Sequence, residues 1–326
     1  MKRERGSIVS MQTMDRMERL ATTVLGWLPG WCLLVVIVLP EPAHASEVAI
    51  LKSAEIAAYH VAVDAFKSAA PSGTTFVEYD LQGDLERGRK LAKQIRASDT
   101  ALVFAVGLKA ALAAKLEIVD IPIIFSMVLD MTKYHLAAPN MTGITMEVPL
   151  ERQFATMRSV LPKLRRVGVL YDPAKTGALM DEAKRQARAL GLDLIARPVQ
   201  SEKEVPGALR AVLPQVEALW LVPDTTVLTG EALRFILSAP LDQNVPVIGF
   251  SPEFVRSGAL VGLSVHYGDV GRQAGQLAKK ILNGQNFSSI PSVPPDRVRL
   301  AVNLNTAAFL GLTIPPEVVS RADEVY

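Results

Sequence analysis

The sequence predicts an α/β protein of two similar lobes, each a parallel sheet flanked by helices, joined by short hinge crossings. Three observations predict it. Continuous apolar runs of strand length alternate with segments of helical apolar spacing along most of the chain. The order of strand, polar turn and helix begins twice, at Val48-Ala49-Ile50-Leu51-Lys52-Ser53 and again at Arg166-Val167-Gly168-Val169-Leu170-Tyr171-Asp172-Pro173. Between the two starts, Gly143-Ile144-Thr145-Met146 reads as a short extended crossing.

The elements follow in order. Val48–Leu51 is a strand leading to a helix from about Ala54 to Ala69, and Thr75–Tyr79 is the second strand. The helix from Asp84 to Arg96 turns Leu85, Leu91 and Ile95 to a core and its charged residues to water. Ala101–Ala105 and Ile121–Phe125 are unbroken apolar runs, as strands buried on both faces require. Leu150–Leu161 has helical spacing, Val167–Leu170 is a strand, and a helix from Lys175 to Leu190 ends at Gly191. Leu192–Ala196, Ala218–Leu221 and Val247–Phe250 are further strands, and Asp269–Leu282 is a helix closed by Asn283-Gly284. Gly258–Val265 reads as a return crossing. Lobe 1 is accordingly expected over 46–145 with a return segment at about 268–300, and lobe 2 over 146–265. The tail 301–326, with its Ala307–Leu310 and Pro316–Ala322 segments, is expected to pack across both lobes.

The first 45 residues differ from the rest. Lys2, Arg3, Arg5, Arg16 and Arg19 precede an apolar block from Leu25 to Leu39, which Pro40 and Pro42 break before Ala43-His44-Ala45. That order is a secretory signal with small residues at the cleavage site, and the block is shorter than the roughly 20 residues that span a bilayer. Cleavage is expected after Ala45, with Met11, Met14 and Met17 as alternative starts of translation within the long basic region. The single cysteine, Cys32, lies inside this leader and lacks the preceding small residue of a lipidation site. A chain starting at Ser46 therefore offers no disulfide, thiolate ligand or cysteine nucleophile.

At 326 residues the chain suits one large domain or two of about 130 once the leader is removed. Apolar residues make up 49% and charged residues 21%, which supports a packed core and argues against disorder. A net charge of +2, without a basic cluster interleaved with aromatics, gives no case for nucleic acid.

From Val167 onward the chain carries a set of motifs in matching order. They include Val167-Gly168-Val169-Leu170-Tyr171-Asp172-Pro173, Pro246-Val247-Ile248-Gly249-Phe250-Ser251 and Phe254-Val255-Arg256-Ser257-Gly258-Ala259-Leu260. Gly271-Arg272-Gln273-Ala274, Ile281-Leu282-Asn283-Gly284, Val302-Asn303-Leu304-Asn305-Thr306-Ala307 and Leu310-Gly311-Leu312-Thr313-Ile314-Pro315-Pro316 follow, with Arg321-Ala322-Asp323-Glu324-Val325 after them. In this the chain resembles the substrate-binding proteins of ABC importers, specifically the tryptophan/tyrosine-type family with the type 1 periplasmic-binding fold. The first lobe matches more loosely, through Ala110–Lys115, Ile121–Phe125 and Asn140-Met141-Thr142-Gly143. Two departures fall where a ligand would lie. Leu108 follows Gly107 where the family commonly has a hydroxyl-bearing residue, and Met131 follows Asp130 where proline is usual.

In open α/β sheets ligands bind beyond the carboxyl ends of the strands. That rule selects Ser53, Gly107, Leu108, Ser126 and Asp130 in the first lobe. In the second it selects Tyr171, Asp172, Asp224, Thr225, Thr226, Ser251 and Glu253. Each has a plainer reading beside it. Asp172 before Pro173 is an N-cap with proline at the first helical position, Ser53 before Ala54-Glu55-Ile56 also suits a cap, and Asp224-Thr225-Thr226 suits a turn. Tyr171, Phe125 and Phe250 suit a core. The ligand reading places the Asp224 carboxylate in the cleft between the lobes, with Ser53 approaching from the other side.

His60, His135 and His266 are too widely spaced for a paired-ligand metal site. Lys175-Thr176 lacks the glycines of a phosphate loop, and neither G-x-S-x-G nor G-x-G-x-x-G occurs. No catalytic set and no cofactor are expected. What the resemblance implies is an exported, monomeric receptor that closes by hinge motion on a small polar or amino-acid-like ligand. It would deliver that ligand to an ABC permease or, alternatively, signal through a membrane-bound sensor. Protein recovered from a bacterial periplasm is expected to begin at Ser46 on N-terminal sequencing, and recovery with residues 1–45 intact would contradict the export reading.

Overall fold

The computed structural model describes residues 46–129, 131–287 and 290–326. The leader read over 1–45 and the candidate Asp130 lie outside the described residues. The described chain forms two parallel-sheet α/β lobes. Lobe 1 contains β1 (Glu47–Lys52), α1 (Ala57–Ala69), β2 (Thr75–Asp80), α2 (Leu85–Arg96), β3 (Thr100–Val106), α3 (Leu108–Glu117), β4 (Ile123–Ser126) and β5 (Met141–Gly143). Its strands are all parallel, in the order β2-β1-β3-β4-β5.

Alternation along β1 divides the lobe into two cores. Ala49 and Leu51 face the alanine-rich α3 and Ala92 and Ile95 of α2, while Val48 and Ile50 face the other side with Phe66 of α1. On that second side Phe66 stacks on Phe104 of β3 at 4.0 Å between ring centroids.

Lobe 2 begins with α4 (Leu150–Val160) and continues through β6 (Arg166–Tyr171), α5 (Pro173–Ala189), β7 (Asp193–Pro198), α6 (Val205–Val212) and β8 (Ala218–Trp220). Then come α7 (Gly230–Asp242), β9 (Val247–Gly249), α8 (Pro252–Arg256) and β10 (Val261–Ser264). The turn chemistry read from the sequence is in place. Gly191 closes α5 at φ +71°, while Asp84, read as the first helical residue, instead caps α2 through the Glu86 N–H at 2.8 Å.

Two expectations about the C-terminal part are corrected. Gly258–Val265 contains β10 itself, a strand buried within the second sheet, so the crossing there shrinks to Val265-His266. The tail does not lie across both lobes. After α9 (Tyr267–Leu282), β11 (Arg299–Val302) pairs antiparallel with β10, and β12 (Glu324–Val325) pairs with β11. Between them α10 (Leu304–Phe309) and α11 (Pro316–Val319) place Ala307, Ile314 and Val318 in the core of lobe 2. The ladder with β10 fixes the tail to one lobe, giving the order β12-β11-β10-β9-β8-β6-β7.

α9 returns to lobe 1, and Phe287, Ile290 and Val293 after it pack there too. Within α9, Val270, Ala274, Leu277, Ala278 and Ile281 pack on the same face as Phe66 and Phe104. Two glycines permit this approach: a Cβ on Gly271 would lie 2.0 Å from the Ala62 carbonyl oxygen, and one on Gly275 2.5 Å from that of Phe66. The chain therefore passes between the lobes three times, at 144–149, 265–266 and 290–298. The first and third passages pair with each other, the Thr145 N–H donating to Val293 O and the Val293 N–H to Gly143 O, both at 3.0 Å.

Candidate functional site

The carboxyl ends of β1, β3 and β4 form one rim, and those of β6, β8 and β9 form another. In the lobe 1 rim the backbone ties Ser53, Gly107 and Ser126 together. The Ser53 N–H donates to Val106 O and the Gly107 N–H to Ser126 O, both at 2.9 Å. Ser53 Oγ accepts the Ala110 N–H at 2.9 Å, so Ser53 caps α3 from a distant strand rather than its own helix. Tyr59, which sequence reading missed, bonds the same hydroxyl from α1. Burial pushes the Tyr59 phenol above its ordinary value against the opposing pull of Ser53.

Gly107 is required at this point for two reasons. Its φ of +87° is a left-handed conformation, and a Cβ there would stand 2.3 Å from Tyr59 Oη and 2.7 Å from Ser53 Oγ. As the residue before α3 it contributes no side-chain cap. The N–H groups of a helix's first turn have no acceptor inside the helix. Ser53 satisfies that of Ala110, and the Leu108 and Lys109 N–H groups have no hydrogen-bond acceptor among the described residues. The Leu108 side chain packs against the lobe 1 core, so this residue offers the rim its backbone only. Ser126 Oγ and Thr142 Oγ1 are buried without a hydrogen-bond partner among the described residues.

The lobe 2 rim is closed by its own carboxylates. Asp172 caps α5 by accepting the Ala174 N–H at 2.9 Å, and its second oxygen accepts the Thr226 hydroxyl at 2.6 Å. Those two donors, the Thr226 hydroxyl first, hold the Asp172 carboxyl below its usual range. Asp224 accepts four hydrogen bonds, from the N–H groups of Asp172 (2.8 Å), Thr226 (2.9 Å) and Val227 (3.3 Å) and from the Thr176 hydroxyl (2.6 Å). It is 2% exposed.

The cleft position expected for Asp224 is thus corrected. The residue follows β8 through the buried Val222 and the exposed Pro223, and its carboxylate turns inward to knit two strand-end loops. A carboxylate already saturated within its lobe offers a ligand nothing further. Thr226 is buried in the same network, whereas Thr225 is exposed and accepts from Lys175 Nζ at 2.7 Å. Ser251 and Tyr171 are half-buried. The Ser251 hydroxyl holds the exposed Glu253 carboxyl low, and Tyr171 leans on the lobe 2 core.

A family model described as "ABC transporter substrate binding protein" matches residues 57–326, which is nearly the whole described chain. The chain belongs to that family. Among its relatives is the tyrosine-binding protein of Clostridioides difficile, 21% identical over 239 residues, or 71% of this chain and 69% of that one. Among solved structures, the ligand-free, open form of a substrate binding protein with adhesive properties from Clostridium difficile matches at TM-score 0.73. It is 21% identical, and the match covers 86% of this chain and 99% of that one. A domain from Streptococcus pneumonia in complex with L-Trp matches at TM-score 0.58, with 20% identity over 86% of this chain and 99% of that one. At these identities the structures establish the shared two-lobed fold.

In this ABC transporter substrate-binding protein the two rims are chemically unlike. Lobe 1 presents an open helix start, while lobe 2 presents a sealed carboxylate network with hydroxyls at its margin. The network is structural, and Thr176 is the member that sequence reading passed over. Asp224→Asn is expected to lower the unfolding free energy by about 1.5–3 kcal/mol, the weight of a hydrogen-bonded buried charge. A denaturant melt unchanged by that substitution would show the network to be dispensable.

Proposed function

We propose that the protein captures a free amino acid between its lobes, lobe 1 taking the carboxylate at the start of α3. The observation that carries this reading is the turn at Gly107. It starts α3 with no side-chain cap, and the first-turn N–H groups and the positive end of a helix dipole favour an anion there. Tyr59, Ser53 and Ser126 frame that turn. Ser251, Thr225 and Tyr171 meet the ligand from lobe 2, and Asp172, Asp224 and Thr226 hold the loops that present them.

Contacts from both lobes stabilise a closed arrangement over an open one, which is how ligand binding drives hinge motion. The relatives that bear the names of tyrosine and L-Trp support the amino-acid class. Family membership supports export to the periplasm and delivery of the ligand to an ABC permease.

Calorimetric titration with L-tyrosine, L-tryptophan and L-leucine tests the reading. At least one is expected to bind and, at 100 times its dissociation constant, to raise the unfolding free energy by about 2.7 kcal/mol. Gly107→Ala forces a methyl group onto Tyr59 and Ser53 and is expected to weaken that binding by about tenfold or more. A Gly107→Ala protein that melts normally and binds as tightly as the unsubstituted one would place the carboxylate elsewhere.

A further inference from the structure

α9 belongs to lobe 1 by its packing, yet Asp269 in its first turn reaches lobe 2. Asp269 Oδ2 lies 3.1 Å from Arg299 Nε at the start of β11 and 3.9 Å from Arg297 Nε. Lobe 2 supplies a second carboxylate to the same two guanidinium groups. Asp323 Oδ1 lies 2.8 Å from Arg297 Nη2 and 3.6 Å from Arg299 Nη1. Asp323 is itself fixed within lobe 2, its other oxygen accepting the Leu300 N–H at 2.9 Å. The Asp269 and Asp323 side chains are only 12% and 15% exposed, so solvent screens these pairs less than open surface pairs. His266 Nδ1 also stands 3.9 Å from Asp269 Oδ2.

One residue before Arg297 the same crossing is held from lobe 1. The Asp296 N–H donates to Gln273 Oε1 of α9 at 2.9 Å, and Arg272 Nη2 donates to the Asp296 carboxylate at 3.1 and 3.2 Å. Gln273 Nε2 also donates to Pro294 O at 3.1 Å. Arg152 of α4 donates to the Asp296 carbonyl at 3.4 Å, a contact to the backbone that leaves the carboxylate with lobe 1. The chain thus passes from the hold of lobe 1 to that of lobe 2 between Asp296 and Arg297, and the Asp269–Arg299 pair bridges that point.

We propose that Asp269, Arg299 and Asp323 act as a hinge relay that sets the resting balance between the open and closed arrangements. This rests on the hinge-closing reading above. Arg299 is shared between a carboxylate on each lobe. When the lobes rotate about the crossing, Asp269 moves with α9 and releases Arg299. Asp323 travels with β11 and keeps the half-buried guanidinium paired, so closure does not leave it without a carboxylate. Asp269 weights the balance toward the arrangement seen here, in which Ser53, Asp172, Asp224 and Thr226 all bond within their own lobes. Asp323 supports both arrangements equally.

Because Cys32 is the only cysteine and precedes Ser46, two introduced cysteines label the chain from Ser46 without background. Lys90→Cys on α2 and Lys203→Cys just before α6 are exposed sites on opposite lobes, by strands far from the crossings. Spin-label distance distributions between them are expected to show one dominant separation in the ligand-free protein. A shorter separation is expected when the amino acid found by titration is bound. Asp269→Asn is expected to raise the short-distance population of the ligand-free protein about three- to fivefold. Arg299→Gln, which removes the shared cation, is expected to do the same. Asp323→Asn is expected to lower the melting temperature while leaving the resting distance in place. If bound amino acid shortens the distance but neither Asp269→Asn nor Arg299→Gln changes the ligand-free distribution, the relay is wrong and closure stands. If bound amino acid leaves the distance unchanged, hinge closure fails, and the relay with it.

Discussion

The contact on which the rest of the structure depends is the approach of α9 to α1. Gly271 and Gly275 bring the two helix backbones so close that a single methyl group would overlap a carbonyl oxygen. Through that contact a helix encoded after most of lobe 2 becomes part of the core of lobe 1. The chain must then cross to lobe 1 and back again, which makes three passages between the lobes instead of one. Two of these passages pair at Ile144 and Val293, and short crossings of this kind suit the rotation that the proposed hinge motion requires.

The two rims divide the chemistry. At α5 the chain supplies its own anion, Asp172, and a second carboxylate, Asp224, buttresses the loops around it. At α3 the chain supplies glycine where a cap would stand, and Ser53 satisfies only one of the first-turn N–H groups. Under the proposed reading, the helix start of lobe 1 would take an anionic group and the rim of lobe 2 would supply hydroxyl or aromatic contacts. At the crossing, Arg299 stands between two carboxylates, and the proposed relay keeps it paired with one of them when the lobes move.

The fold was largely legible because period and punctuation agree along the chain. β1, β3 and β6 are unbroken apolar runs, and Asp84, Asp172 and Gly191 mark helix ends as their chemistry requires. The tail was not legible, because its strands are four and two residues long and the partner β10 that fixes them lies far away in sequence. The site was legible as positions and not as roles. The strand-end rule located Ser53, Gly107, Asp172 and Asp224 at the two rims, but which carboxylates are saturated depends on donors up to 54 residues away, such as Thr226 for Asp172. Tyr59 sits at an ordinary helix position, and only the contact across to Gly107 reveals it. Asp269 likewise reads as a first-turn acid of α9, and its partners in β11 come from a different lobe.

The central claim is that the two lobes close on one bound amino acid. Small-angle scattering of the chain from Ser46, first free and then saturated with the amino acid identified by titration, tests it most directly. The account predicts a smaller radius of gyration on binding, because rotation about the three crossings brings the rims together. An identical scattering profile with the site fully occupied would contradict it.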